Sequence, residues 1–284
     1  MNRLSTEKRV QILYALCEGA SINATARQTG ASKVTILKLL AEVGTAVLAY
    51  QQRVLVNLPC KRIEADEIWS FVGAREKNVP LDEKGRGRGD CWTWTGICAD
   101  TKLIPCWHVG TRDADAAHLF MEELASRLAN RVQLSTDGHN AYLTAVENAF
   151  GWNGVDYAML VKLYGATGDT HGSGKYAPVA LTSLEKKPIM GQPDEALIST
   201  SYAESHNTRM RTNIRRLTRL TNGHSKKIEN HVHAMSLWFM YYNFCRPHMT
   251  LTKNNGGIKQ TPAMAAGVSD HVWNLGEVVA LLAS

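Results

Sequence analysis

At Arg62 the hydrophobic period of this chain changes, and the change limits the folds open to it. Upstream, apolar residues recur at helical spacing: Val10, Leu13, Leu16 and Cys17 share one face of a helix predicted over 5–18. Downstream, RIEADEIWSFVGA alternates as a strand does. After the polar loop NVPLDEKGRGRGD, the runs CWTWTGICAD and KLIPCWHVG read as two further strands joined near Asp100-Thr101. DADAAHLFMEELASRLAN predicts a helix with Leu119, Leu124 and Leu128 on one face and Asp113 or Asp115 near its start. RVQLSTDGHNAY predicts a buried strand that ends at Asp137-Gly138 and leads into a helix over Ala141–Phe150, and DYAMLVKLY predicts a fifth strand over 156–164. Residues 165–200 are rich in Gly, Pro, Ser and Thr and read as an insertion or mobile loop, with one hairpin around Ala177–Leu184.

The order strand-strand-strand-helix-strand-helix-strand, then helices, predicts an α/β fold of ribonuclease H-like type, a mixed sheet with flanking helices. An all-α helix-turn-helix domain precedes it. In SINATARQTGASKVTILKLLAEVG, Ser21 is placed to N-cap a short helix through Gln28 and Ser32 to N-cap a second from Lys33 to about Glu42. Gly30 supplies the turn, where positive φ costs little. Ala26, Gly30 and Ile36 stand at the small-Gly-apolar spacing of two crossing helices. The second helix would enter a major groove and present Lys33, Thr35 and Lys38 to DNA. Residues 43–60 predict a further helix and linker ending at Pro59. The expected division is a DNA-binding domain over 1–60, a catalytic domain over 61–266 with its insertion at 165–200, and a helical tail over 267–284.

Charge follows the same division. The net +6 is made of +6 over residues 1–62, −6 over 63–200 and +6 over 201–284. Basic ends suit a polyanion such as double-stranded DNA, and an acidic middle repels phosphate unless its carboxylates hold cations. No apolar run nears the roughly 18–20 residues of a membrane span, so a membrane partner is not expected. Glu7, Lys8 and Arg9 precede a short apolar stretch that Glu18 breaks, and no convincing cleavage site follows, which argues against a secretory signal. The six cysteines form no C-x-x-C pair, and scattered thiols fit a cytoplasmic location.

Three carboxylates stand out by position: Asp66 inside the first strand, Asp137 at the end of the fourth and Glu204 at the start of a helix. In a ribonuclease H-like sheet the first and fourth strands are neighbours, so Asp66 and Asp137 would converge, with Glu204 packed across them. Such a set repels itself unless cations sit between its members. Hard oxygen ligands suit Mg²⁺ or Mn²⁺, two of which can activate a water and stabilise the leaving 3′ oxygen of a phosphodiester. Glu64 and Glu67 compete with Asp66; in an extended strand Glu64 shares its face and Glu67 points the other way. Taken singly, Asp137 also reads as a turn or cap residue and Glu204 as a first-turn glutamate. The helix after Glu204 is expected to carry Arg209, Arg211, Arg215, Arg216 and Arg219 as phosphate contacts. Asn207 and His231 are further candidates; a histidine here reads as a core or phosphate-contact residue, because no zinc spacing is present.

The segments ADEIWSFVG, LSTDGHNAY, YAESHNTRMRTNIRRLTRLTNGHSKK and SLWFMYYNFCRPHMTL with QTPAMAAG resemble the DDE transposases of the insertion-sequence-one type. The match spans most of residues 62–266. It implies Asp66, Asp137 and Glu204 as catalytic and metal-holding acids, metal-dependent cleavage at the ends of a mobile element, and strand transfer of the freed 3′ hydroxyl into target DNA. It also implies an assembly of at least two copies, because two DNA ends are handled. His231 matches a histidine of the family motif. Two departures stand. The paired cysteines that commonly precede the family's helix-turn-helix have no counterpart here, and the gap between Asp137 and Glu204 is long. Residues 165–200 account for that gap and make Glu185 and Glu195 alternative third acids. Two other readings are compatible with the residues: a helix-turn-helix regulator without chemistry, and a ribonuclease H-like nuclease that cuts without joining.

Overall fold

The computed structural model describes residues 4–151, 154–165, 181–219 and 221–283. Three helices come first: α1 (Thr6–Cys17), α2 (Ile22–Thr29) and α3 (Lys33–Val54). Ser5, Ser21 and Ser32 each accept a hydrogen bond from a first-turn backbone N–H, and Gly30 ends α2 at φ 70°. The caps anticipated at Ser21 and Ser32 therefore form. The break anticipated after Glu42 does not, because α3 runs on unbroken through Gly44 to Val54. Gly44 is a contact residue here: a Cβ added to it would lie 2.6 Å from Cβ of His233 on α7 (Ile228–Met240). The Ser236 hydroxyl donates to the Gly44 carbonyl at 2.8 Å, and Gln51 Nε2 donates to the Ser236 carbonyl at 3.2 Å. A glycine at the crossing lets the two helix backbones approach closely.

The expectation that no apolar run reaches span length also needs correction, since α3 has the length and hydropathy of a membrane span. Its apolar side chains Ile36, Leu40, Val43 and Val47 are fully or almost fully buried in the core. Burial between α1, α7 and the C-terminal segment accounts for that composition.

From Arg62 the chain builds a six-stranded mixed sheet. Its strands are β1 (Arg62–Val72), β2 (Gly89–Cys98), β3 (Trp107–Gly110), β4 (Val132–Asp137), β5 (Val155–Tyr164) and β6 (Leu181–Met190), in spatial order β3-β2-β1-β4-β5-β6. The β1–β2, β2–β3 and β5–β6 pairs are antiparallel; β1–β4 and β4–β5 are parallel. Parallel neighbours need crossovers, which α4 (Ala114–Arg127) and α5 (Ala141–Phe150) supply. The arrangement is consistent with a ribonuclease H-like fold. Helices α6 (Ser201–Asn213), α7, α8 (Met249–Asn254), α9 (Pro262–Ala265) and α10 (Leu275–Ala280) complete the chain.

Local departures from the sequence reading have physical causes. KLIPCWHVG is a strand only over Trp107–Gly110. Ahead of it, the Ile104 N–H donates to Asn243 Oδ1 and the Ile104 carbonyl accepts from Asn243 Nδ2, so this buried side chain stands where a strand neighbour would. On α4 the buried face is Ala116, Ala117, Phe120, Met121 and Leu124, while Leu119 is 53% exposed; Asp113 is the N-cap. The expected hairpin around Ala177–Leu184 falls partly outside the described residues. What is described of 165–200 includes β6, which extends the sheet along β5.

One apolar core runs from Ile12 on α1 through the sheet to Val279 on α10. Trp94 is fully buried and packs on Phe120 and Tyr142. Near the C-terminus Tyr50, Phe244 and Trp273 form an aromatic cluster, and a capping box between Asn274 and Glu277 starts α10.

Candidate active site

The site forms where β1 and β4 run side by side. Their parallel register pairs Ala65 with Thr136, which sets Asp66 next to Asp137, the last residue of β4. One oxygen from each of Asp66, Glu67 and Asp137 lies within 4.8 Å of the others. Glu67 was expected on the opposite face from Asp66, and along the strand it is. The cluster nevertheless closes, at the edge where β4 ends in Asp137.

Glu64 shares the Asp66 face and does a different job. Its Oε2 accepts from the backbone N–H groups of Tyr202 at 2.7 Å and Ala203 at 3.2 Å, which satisfies the first turn of α6. A carboxylate is favoured at that position by the helix dipole. Docked in this way, α6 brings Asn207 over the strand, and its Nδ2 donates to Asp66 Oδ2 at 2.8 Å. Asp66 Oδ1 accepts from the Glu67 backbone at 2.9 Å. Burial pushes the Asp66 carboxyl up to about 7, and the negative charges of Glu67, Asp137 and Glu204 add to the push.

Glu67 is compensated by the protein itself. Arg112 reaches its Oε1 at 2.7 Å, and the Tyr142 hydroxyl donates to its Oε2 at 2.9 Å. Burial and Asp137 raise the Glu67 carboxyl, while Arg112 and Tyr142 oppose the rise. Arg112 lies over the Trp92 ring, 4.8 Å from its centroid, and 3.9 Å from Asp137 Oδ2. Asp137 Oδ1 accepts from the His139 N–H at 3.0 Å, so the turn role and the site role coexist in one side chain.

Glu204 lies one turn before Asn207 on the same face of α6. Its charge contributes to the upward push on Asp66. Its carboxylate pairs with Lys162 of β5 and accepts from the Thr200 hydroxyl at 2.5 Å. Of the alternative third acids, Glu185 is exposed on β6 and pairs with Lys187, and Glu195 is exposed in a short 3₁₀ turn.

The arginines do not share one helix, because α6 ends at Asn213. Only Arg209 and Arg211 are on it; Arg215 and Arg216 lie on the 3₁₀ turn that follows, and Arg219 lies beyond. Arg211 donates to the Leu217 carbonyl at 3.3 Å, and Arg216 to the Ser225 hydroxyl at 2.9 Å. His231 is fully buried, bonded through Nδ1 to Ser225 at 3.1 Å and near Ser70 at 3.4 Å; burial pushes it down to about 3. It links α7 to β1 away from the carboxylates. Lys33 and Lys38 are exposed at the start of α3, and Thr35 is half-buried with its hydroxyl 2.8 Å from that of Ser32.

Arg112, Tyr142 and Lys162 were not singled out as site residues from the sequence, and Glu67 was named only as a competitor of Asp66. For Glu67 the pattern carried a usable signal, an acid directly beside Asp66 in an otherwise apolar strand. The three partners come from other elements, and no local spacing announces them. The residues present fit a hard divalent cation: carboxylate oxygens converge, and their mutual repulsion raises Asp66, a strain that positive charge relieves.

No protein-family model and no curated protein matches the chain. Among solved structures it aligns with the piggyBac transposase in a synaptic complex with hairpin DNA, at 9% identity and a TM-score of 0.44. The alignment covers 93% of this chain and 70% of that one.

Proposed function

We propose that the chain is a DDE-type DNA transposase of an insertion sequence, which cleaves phosphodiesters at element ends and transfers the freed strand into target DNA. The observation that carries the reading is the convergence of Asp66 and Asp137 at the ends of adjacent parallel strands, under a helix that bears Asn207 on Asp66 and Glu204 one turn earlier. The motif resemblance assigns those same three acids. Mg²⁺ or Mn²⁺, two ions per site, would supply Lewis-acid charge for phosphodiester chemistry when bound.

Asp66 and Asp137 would hold the cation, and Asn207 fixes the orientation of Asp66. Glu204, one turn before Asn207 and paired with Lys162, would be the third acid to hold it. Glu67 stays with Arg112 and Tyr142 and keeps that cation-binding edge rigid. In the first step water attacks phosphorus, the bond to the 3′ oxygen breaks, and that oxygen leaves with a proton as a 3′ hydroxyl. In the second, the hydroxyl attacks a target phosphodiester, the new P–O bond forms as the target's bond to its own 3′ oxygen breaks, and that oxygen leaves with the proton the hydroxyl gives up. Lys33, Thr35 and Lys38 read element DNA as part of a helix-turn-helix unit over 1–60, and Arg209, Arg215 and Arg219 contact phosphates. Arg211 and Arg216 add charge while bracing their own loop. Two DNA ends require at least a dimer, working in the cytoplasm.

The test is a supercoiled plasmid carrying the gene's flanking DNA, incubated with protein and Mg²⁺ or Mn²⁺ beside Asp137→Asn. Metal-dependent nicking and joined products at the flanks, lost in the variant, are expected. Cutting without joined products identifies a nuclease; DNA retardation without cutting in either protein identifies a regulator.

A further inference from the structure

The face of β1 and β2 that carries Glu67 and Trp94 changes character along the strands. Trp94 is fully buried against Phe120 of α4 and Tyr142 of α5. Two residues further, about 7 Å along each strand, Trp69 and Trp92 stand directly opposite each other. Trp69, Trp92 and Phe71 each keep part of their surface in solvent. Trp69 and Phe71 are in ring contact, with centroids 5.7 Å apart, and the His224 ring lies 4.5 Å from that of Phe71. Two exposed arginines lie against this row. The Arg75 guanidinium is 5.6 Å from the Trp69 centroid and 5.9 Å from that of Phe71. It has no carboxylate partner among the described residues. Arg112, over Trp92, is the side chain that also bonds Glu67 and approaches Asp137. The row therefore starts at the carboxylate cluster.

Rings alone would suit any apolar surface, and cations alone any anion; here the two are interleaved. A nucleobase is flat, offers a π-face to a ring or a guanidinium, and comes joined to a phosphate. A duplex keeps those faces stacked inside itself, so only an unpaired strand can present them. We propose that Trp69, Phe71 and Trp92, with Arg75 and Arg112, form a stacking platform for the unpaired bases of a DNA strand that enters or leaves the Asp66–Asp137 edge. Which DNA it receives rests on the reading of that edge as a phosphodiester-cleaving site; the stacking itself does not. The rings take the bases from below, and Arg75, which no ion pair holds in place, is free to close over them. Each stacked base is worth about tenfold or more in affinity.

The test uses no metal and no cleavage. The full chain is mixed, in buffer with EDTA, with a forked duplex whose unpaired arm carries 5-iodouracil, and separately with a fully paired duplex carrying the same base. Irradiation joins the iodouracil to an aromatic side chain on which it stacks, and mass spectrometry locates the join. Crosslinks from the arm at Trp69, Phe71 or Trp92, with none there from the paired duplex, are expected. Fluorescence anisotropy should show the fork bound about tenfold or more tightly than the duplex. Trp69→Leu, which keeps an apolar body and loses the π-face, should remove most of that preference. Arg75→Ala, at an exposed position, should lower it about threefold. Duplex binding by each variant reports that it folds, and Arg75→Ala decides where Trp69→Leu does not. The proposal is overturned if the arm crosslinks elsewhere or not at all, if the fork binds no more tightly than the duplex, or if the folded variants keep the parent's preference. Nicking at the plasmid flanks without these crosslinks would sink the platform and leave the transposase reading standing; crosslinks without nicking would do the reverse.

Discussion

Two neighbouring carboxylates on β1 meet opposite fates. Glu67 turns to the side covered by α4 and α5, where Arg112 and Tyr142 occupy both its oxygens. Asp66 turns to the side covered by α6, where it receives one amide from Asn207 and one backbone N–H. The first is neutralised within the protein; the second is left with a surplus of negative charge around it, and its carboxyl rises to about 7. A chain gains nothing in stability from such a surplus. The difference separates a structural acid from one whose partner comes from outside.

The sharpest way to break this comparison is to neutralise each acid in turn. Asp66→Asn or Asp137→Asn should lower metal-dependent nicking by about 10³-fold, corresponding to about 4 kcal/mol of transition-state stabilisation. Either change should leave the melting temperature unchanged or higher, because it relieves like-charge repulsion. Glu67→Gln should do the reverse, lowering stability by about 1–3 kcal/mol in chemical denaturation as Arg112 and Tyr142 lose their partner. Its nicking rate should stay well above that of Asp66→Asn. If Glu67→Gln abolishes nicking while the fold is intact, the division between the two faces fails.

Asn207→Ala probes the same face more gently. It removes the amide that orients Asp66, and a loss of about tenfold in nicking is expected, in the range found when a group supporting a metal ligand is removed. A loss equal to that of Asp66→Asn would make Asn207 more than a positioning residue.

The smallest effect is a pH dependence. The folded chain keeps a proton on Asp66 that the unfolded chain releases near pH 4. The stabilising contribution is therefore complete below about pH 4 and is lost as pH rises through about 7. The metal-free protein should melt about 2–4 °C lower at pH 7.5 than at pH 5 on account of this group. The Asp66→Asn variant should lack that component, and added Mn²⁺ should offset it most at the higher pH.

Much of this was legible in the sequence because it depends on local pattern. Period-2 alternation located β1, and strand-like runs located β2 and β4; Ser21, Ser32 and Gly30 located two helix starts and a turn. The position of Asp137 at a strand end located half the site. What the sequence did not show was tertiary. The helix expected to end near Glu42 runs on to Val54, with Gly44 at the point where α3 touches His233. Leu119 read as a core residue because leucine is apolar, yet the face that packs on the sheet is the one with Phe120 and Leu124. Glu204 and Lys162 are 42 residues apart, and Glu67 and Arg112 are 45 apart. No periodicity connects such pairs; the crossovers between parallel strands do.

The most direct test of the central claim is Mn²⁺ binding, followed by electron paramagnetic resonance in the parent chain, in Asp66→Asn/Asp137→Asn and in Glu67→Gln. Bound Mn²⁺ in the parent chain and in Glu67→Gln, with none in the double variant, is the predicted result. Equal binding in the double variant, or loss in Glu67→Gln alone, would contradict the assignment of Asp66 and Asp137 as the acids that hold the cation.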